Sequence, residues 1–328
     1  MKRPDGFLVA MLAAVALALA APGLGSKDSI IPFGAITQAG IAVVFFLHGA
    51  NLSPSALRAG AANWRLHVFI HATTFALFPA LGFLIYRLSG TALPPDMRLG
   101  VFYLAALCST ISSSVAMVAI ARGNLAAAVF DATLSGLIGM VLTPILMSLV
   151  VPHGAGHLPV LQSIGDVALK LLAPFAAGHL LRPLLVPRLA GRKGWITKLD
   201  RAVIVLIVYT AFCESTAAGV WSRYGVGAVA TVAVLVAALL ACALVATTLV
   251  SRKLGFSRED EITAVFCGSK KSLANGAPIA NVLFAGSPSL GAILLPLMIY
   301  HQLQLIVCSL LARRYAERAP TALPASAA

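Results

Sequence analysis

Charge is scarce in this chain: Asp, Glu, Lys and Arg make up 11% of its 328 residues, and 11 residues in all are acidic. A soluble fold of this length needs a polar surface, with about a quarter of its residues charged. The usual marks of catalysis and of covalent or metal stapling are missing too. Five cysteines (Cys108, Cys213, Cys242, Cys267 and Cys308) sit inside apolar stretches, with no CxxC and no His/Cys metal spacing. That pattern excludes a disulfide framework and leaves them as small core hydrophobes. No HExxH, GxSxG, aspartyl pair or Walker loop occurs, so no familiar set of catalytic or cofactor-holding groups is present. No polar stretch is long enough to form a second domain, and no linker appears before the Pro/Ala-rich tail that follows Arg318.

What is abundant is hydrophobicity, at 59% of residues and a mean hydropathy of +0.93. Apolar runs of about twenty residues, the length that crosses a bilayer core, recur from end to end. Read against Pro, Gly and charge, they number ten: 7–23, 33–52, 64–87, 97–121, 124–151, 160–184, 199–221, 225–251, 260–284 and 286–313. The chain therefore reads as an all-α polytopic membrane protein with one integral domain over 1–318 and a disordered tail over 319–328. The first run follows Lys2 and Arg3 and ends in small residues, in the manner of a signal peptide. With nine more runs behind it, it is read as a first span.

The net charge of +13 suits nucleic acid in a soluble protein, but here it follows the membrane. With the N-terminus cytoplasmic, seventeen of the 24 Lys and Arg residues fall on the cytoplasmic side. Four (Lys27, Arg87, Arg98, Arg223) fall opposite, and three lie inside spans. This is the positive-inside pattern. It predicts ten spans with both termini cytoplasmic, in the inner membrane of a bacterial cell, and it accounts for the basicity without nucleic acid.

Two spans are unlike the rest. The fourth contains Ser109, Thr110, Ser112, Ser113 and Ser114, five hydroxyl residues in six positions. The ninth contains Cys267-Gly-Ser269-Lys270-Lys271-Ser272, followed by Asn275, Gly276 and Pro278. Each lies in the fourth span of a five-span half (about 7–151 and 160–313), and with five spans per half the second half is inverted. Paired polar interruptions in inverted halves point to a transporter binding site, because irregular backbone inside a bilayer is tolerated only in a cavity or buried in protein. Helix-to-helix packing through small residues is the bland alternative for the serine run.

Lys270 and Lys271 sit midway through an apolar stretch, at a cost of about 2.5 kcal/mol or more each unless hydrated or paired. Asp131 and Glu214 are the carboxylates available to them within spans; otherwise the negative charge belongs to a bound solute. A lysine held on carbonyls at a half-helix end is the structural alternative. Asp166 and Lys170, four residues apart, are expected to pair. His48, His71, His179 and His301 are read mainly as packing residues, with His301, near Gln302 and Gln304, singled out as the functional exception.

The run Ser113-Ser-Val-Ala-Met-Val-Ala-Ile-Ala-Arg-Gly-Asn124 resembles the segment after the first helix break in the bile acid:sodium symporter superfamily. The run FCGSKKSLANGAPIANVLF, Phe266 to Phe284, resembles its counterpart in the branch similar to member seven of solute carrier family 10. The resemblance covers essentially the whole chain. It implies two inverted five-helix repeats, a core domain (spans three to five and eight to ten), a panel domain (spans one, two, six and seven), and discontinuous fourth and ninth helices crossing at the substrate site. Ser114 keeps a family hydroxyl, but Val115 replaces an asparagine, and two further hydroxyl ligands fall on Ala128 and Ala132. The shared glutamate of the ninth helix falls on Cys267, a nearby glutamine on Lys271, and a glutamine of the third helix on Thr74. The family's sodium sites have thus lost a carboxylate and gained two ammonium groups.

These readings favour a secondary transporter of a small organic solute, an anion on the evidence of the lysine pair, working by alternating access with sodium or a proton as coupling ion and no other cofactor. Its substrate- and ion-binding residues would be Ser109, Thr110, Ser112, Ser113, Ser114, Cys267, Ser269, Lys270, Lys271, Ser272 and Asn275, with Thr74, Asp131, Glu214 and His301 as further candidates. A channel or non-transporting membrane regulator on the same scaffold is the alternative. An enzyme is not expected.

Overall fold

A computed structural model describes residues 6–27, 29–150, 160–189 and 193–317, and among these residues the regular structure is entirely helical. In chain order the helices are α1 (Gly6–Ala20), α2 (Phe33–Asn51), α3 (Pro54–Gly60), α4 (Trp64–Leu88), α5 (Pro95–Ala106), α6 (Ser112–Ala121), α7 (Leu125–Ser148), α8 (160–180), α9 (Arg182–Leu189), α10 (Lys193–Ala217), α11 (Val226–Lys253), α12 (Arg258–Gly268), α13 (Leu273–Leu283) and α14 (Leu290–Glu317). Five of them, α2, α4, α7, α11 and α14, are individually long and apolar enough to cross a membrane. The expected fourth and ninth spans are each two half-helices in sequence, α5 then α6 and α12 then α13.

The burial pattern is that of a protein dissolved in lipid. Large apolar side chains stand fully outside on α1, α11 and α14, among them Leu12 (61% exposed), Val234 (68%) and Leu310 (57%). A water-facing surface does not carry such stretches on helix after helix. The inward faces bury Tyr103, Phe266, Tyr300 and both lysines of the ninth span completely. The first apolar run is an integral helix of this bundle: α1 packs on α10 and buries Phe7, Met11, Ala14 and Ala18.

Small residues set the closest helix crossing. α2 packs along the second half of α8, where a Cβ on Gly49 would come 1.9 Å from the carbonyl oxygen of Phe175. Reciprocally, a Cβ on Gly178 would come 1.9 Å from that of Phe46. Close backbone approach between small residues is how helices associate when lipid removes the hydrophobic incentive.

At the end of the bundle that carries the basic loops, one carboxylate ties three helix starts together. Asp260 Oδ2 accepts from Asn63 Nδ2 at 2.6 Å and Oδ1 from Asn124 Nδ2 at 2.9 Å. Asn63 and Asn124 in turn cap the N-termini of α4 and α7. Negative charge at helix N-termini is favourable. The turn from α6 into α7 needs Arg122 at φ +62, and a Cβ on the adjacent Gly123 would meet Ile262 at 2.6 Å.

Several local features depart from the sequence reading. α10 begins at Lys193, six residues ahead of the expected start at 199, and 182–189 form a separate helix. α4 and α8 each contain a π-turn, Thr73–Leu77 and Ala168–Leu172, placed just before Pro79 and Pro174. Proline supplies no N–H and crowds the preceding turn, and one extra residue in the turn relieves both. Asp166 and Lys170 do face each other, at 4.0 Å. The expected tail at 319–328 lies outside the described residues.

Candidate binding site at two helix breaks

Each break exposes carbonyls that a continuous helix would have used, and each is repaired largely by the other. At the end of α12, the carbonyl of Cys267 accepts from Ser109 Oγ at 2.6 Å and that of Phe266 from Ser114 Oγ at 3.1 Å. At the end of α5, the carbonyl of Cys108 accepts from the backbone N–H of Ser272 at 3.0 Å, and that of Ala106 from Thr143 Oγ1 at 2.9 Å. The N–H of Ser109 donates to Ser135 Oγ at 2.9 Å. Two hydroxyls of the serine-rich run, those of Ser109 and Ser114, are therefore donors placed against the orphan carbonyls of a partner half-helix. Among lipid or apolar side chains, each such carbonyl would otherwise cost several kcal/mol.

Lys271 completes the repair. Its Nζ donates to the carbonyls of Thr74 (2.9 Å), Ala105 (2.8 Å) and Leu107 (2.6 Å), and lies 4.2 Å from the centre of the Phe78 ring. Three acceptors take all three N–H bonds of an ammonium group. Each carbonyl is free for a stated reason. Ala105 and Leu107 lie where α5 stops, at the negative end of its dipole. In the π-turn the N–H of Phe78 bonds the carbonyl of Thr73, so the next carbonyl, that of Thr74, meets Pro79, which has no N–H to give. On the other side, Gln304 of α14 brackets the Lys271 backbone, accepting from its N–H and donating to its carbonyl, both at 2.8 Å. Tyr300 Oη donates to the Ser269 carbonyl at 2.6 Å.

A cavity of about 270 Å³ opens beside the breaks, lined among others by Phe45, His48 and Asn51 of α2, Thr110, Ile111, Ser112, Thr133, Gly136, Phe175, Asp200, Ser272 and Asn275. Two half-helix N-termini, those of α6 and α13, are in its wall. Of the residues singled out from the sequence, Thr110, Ser112, Ser272 and Asn275 line it, and Ser113 bonds Thr110 at 3.3 Å. Ser109, Ser114, Cys267 and Ser269 belong to the joint between the breaks.

The two lysines, expected among the binding residues, do not line the cavity; both are 0% exposed. Lys271 is spent on carbonyls, whereas the Nζ of Lys270 makes no hydrogen bond. Thr74 contributes its carbonyl, its hydroxyl being turned back to Ile70. Glu214 lines a different cavity of about 440 Å³, shared with Lys27, Thr37, Gln38 and Asn281. His301 Nδ1 lies 3.0 Å from Gln304 Nε2, a brace on the residue that holds Lys271. Asp131 pairs with histidines of α4, His67 at 3.0 Å and His71 at 3.4 Å, with neither lysine.

Sequence reasoning missed Asp200 and His67 and read His48 as a packing residue. His48 and Asp200 face each other across the cavity wall at 3.8 Å; both stand near span ends, where a polar residue is unremarkable. His67 was overlooked although its spacing from His71, one helical turn, is a visible signal.

Helices built to be solvated by lipid, two of them interrupted and repaired across the break, beside a cavity, define a multi-pass membrane protein of the transporter class. Comparison with known proteins makes this specific. Residues 5–317 match the model of the SBF-like CPA transporter family (DUF4137), and the chain belongs to that family. It is 45% identical over 312 residues to YfeH of Escherichia coli (strain K12), a protein whose name proposes a symporter, covering 95% of this chain and 92% of that one. An uncharacterized protein of Pseudomonas aeruginosa is 44% identical over 324 residues, 99% and 96% of the two chains. Sodium/bile acid cotransporter 7 of Mus musculus is 27% identical over 312 residues, 94% and 92% of the two chains. These matches agree with the resemblance to the bile acid:sodium symporter superfamily carried by the two motifs.

Proposed function

We propose that this protein is a secondary active transporter that carries a small organic anion across the bacterial inner membrane, coupled to sodium or protons, and has no enzymatic activity. In this reading the ten spans form two inverted five-helix repeats within one integral domain over 1–318, with both termini cytoplasmic. The observation that carries it is the convergence of two half-helix N-termini, at Ser112 and Ser272–Leu273, on one cavity. A helix N-terminus presents unpaired N–H groups and the positive end of the dipole, which suits a carboxylate, sulfonate or phosphate. Thr110, Ser112 and Asn275 add neutral donors at the same wall, and His48 offers a fourth beside Asp200.

Alternating access is supported by the second cavity. α13 contributes Asn275 to the first and Asn281 to the second, about 9 Å apart along one helix. α2 and α10 also line both. A solute would pass between them as the unit carrying the breaks shifts against α2 and α10. The relatives' names bear on solute and ion: a sodium-coupled bile acid carrier has both an anionic cargo and a cation, although here the ammonium of Lys271 already occupies the carbonyl cage at the breaks.

The test is a thermal-shift screen of purified protein against carboxylates, sulfonates, phosphates, organic cations and neutral solutes, with sodium or choline as the salt cation. Hits are then followed by saturable uptake into proteoliposomes. Stabilisation confined to anions, with uptake that saturates, is expected. Hits confined to cations would overturn the anion assignment, and flux that does not saturate would overturn the carrier reading.

A further inference from the structure

A carboxylate lies deep in the protein, on the other side of α7 from the cavity. α7 presents Val129, Thr133, Gly136 and Met140 to the cavity, while Asp131, at 0% exposure, is turned into the helical packing. Its Oδ1 is 3.0 Å from His67 Nδ1 and 3.4 Å from His71 Nε2, two side chains one turn apart on α4. The other nitrogen of His67, Nε2, is 2.9 Å from the carbonyl oxygen of Gly60.

The hydrogen bonds fix how many protons the pair holds. A carbonyl only accepts, so Nε2 of His67 carries a hydrogen. The 3.0 Å contact between Nδ1 and Oδ1 then needs one more proton, borne either by an imidazolium facing a carboxylate or by a carboxylic acid facing a neutral imidazole. Among the described residues no lysine or arginine lies within ion-pair distance of Asp131. That shared proton is therefore what neutralises a fully buried carboxylate. Beside it stand two unused acceptors, Asp131 Oδ2 and the unprotonated ring nitrogen of His71, neither of whose ring nitrogens makes a hydrogen bond.

We propose that Asp131, His67 and His71 form a buried proton-binding site whose ligand is H+, placing a proton where the transport read above requires a coupling ion; only that last clause rests on the transporter reading. The step involves no other co-reactant. With the shared proton placed on His67, a further proton taken from solvent adds to Nε2 of His71, a buried atom, and produces a second imidazolium against the same carboxylate. Its departure restores the resting pair. The other titratable or charged groups that face the cluster are Asp260, toward His67, and Cys267 of α12, toward Asp131, and Cys267 in turn faces Lys270. Arg58 on α3 and Arg122 after α6 are exposed. One turn along α7 from Asp131 lies Ser135, whose hydroxyl receives the Ser109 N–H. A charge change at Asp131 thus acts one helical turn from the joint between the breaks.

The test is 15N NMR of histidine-labelled protein in lipid nanodiscs, where both ring nitrogens of an imidazolium report their protons. At pH 8 one of the seven histidines is expected to be doubly protonated. That signal should vanish in His67→Gln, be lost in Asp131→Asn and be unaffected when choline replaces sodium, while a second, absent in His71→Gln, should appear reversibly as pH is lowered to 5. The proposal is overturned if no histidine is doubly protonated at pH 8, if the signal survives either substitution, if no second signal appears by pH 5, or if sodium displaces the first. Should Asp131→Asn fail to fold, His67→Gln alone decides the assignment. The readout is the resting protein, so an absence of transport would leave the site standing. Loss of the signal would remove the site and leave the cavity reading intact.

Discussion

Lys270 and Lys271 are neighbours in sequence and equally buried, yet the structure gives them opposite energetic roles. Replacing Lys271 with Met removes three N–H donors and leaves the carbonyls of Thr74, Ala105 and Leu107 unpaired. Each unsatisfied buried acceptor costs about 1–3 kcal/mol. Release from burying the ammonium offsets part of this, leaving a net loss of about 3–5 kcal/mol, the range found when one member of a buried charged network is deleted. Replacing Lys270 with Met deletes an Nζ that makes no hydrogen bond and keeps the volume, so stability should be unchanged or higher. Thermal unfolding in nanodiscs, followed by tryptophan fluorescence, reads both. At about 2 °C per kcal/mol, Lys271→Met should lower Tm by about 6–10 °C. A Lys271→Met protein within about 2 °C of wild type, or a Lys270→Met protein that loses as much, would refute the carbonyl-cage account.

Gly178→Ala should cost about 3 kcal/mol or prevent folding, because its Cβ meets a backbone carbonyl at 1.9 Å and backbone cannot move aside as a side chain does; Gly165→Ala, with open space around its Cβ, is the control that should keep the wild-type Tm. Asp260→Ala should lower stability by about 2 kcal/mol by stranding Asn63 and Asn124, a charge-assisted pair of bonds discounted for partial exposure; urea or thermal unfolding in detergent checks it, and an unchanged midpoint would show that the clamp contributes nothing.

Much of the fold was legible because lipid imposes strong rules. Twenty-residue apolar runs depend only on the bilayer, so helix positions in the structure follow the expected segments. The breaks were legible for the same reason: a run such as Ser109–Ser114 has no place in a lipid-facing helix. The partners of those residues were not legible. Lys271 reads from sequence as a charge seeking an anion, and its neutral partners are carbonyls, which every residue has and no sequence displays. What frees the Thr74 carbonyl is Pro79 and a π-turn, a local irregularity with no period of its own. Asp131 was visible as a buried carboxylate, but was matched to the lysines because they were the obvious opposite charges. Two histidines a turn apart on α4 were the better match, and only the three-dimensional packing of α4 against α7 shows it.

The central claim is that solute binds in the cavity walled by the two half-helix N-termini. Gly136 tests it most directly, since it lines that cavity and a Cβ there meets only Asn275 Nδ2, at 3.3 Å. Gly136→Leu fills the space from a helical position that favours leucine over glycine, so the protein should fold with a Tm close to wild type. Proteoliposome uptake of an anion found by the screen should fall at least tenfold in Gly136→Leu while remaining near wild type in Lys270→Met. Undiminished, saturable uptake by a folded Gly136→Leu protein would contradict the assignment of the cavity as the solute site.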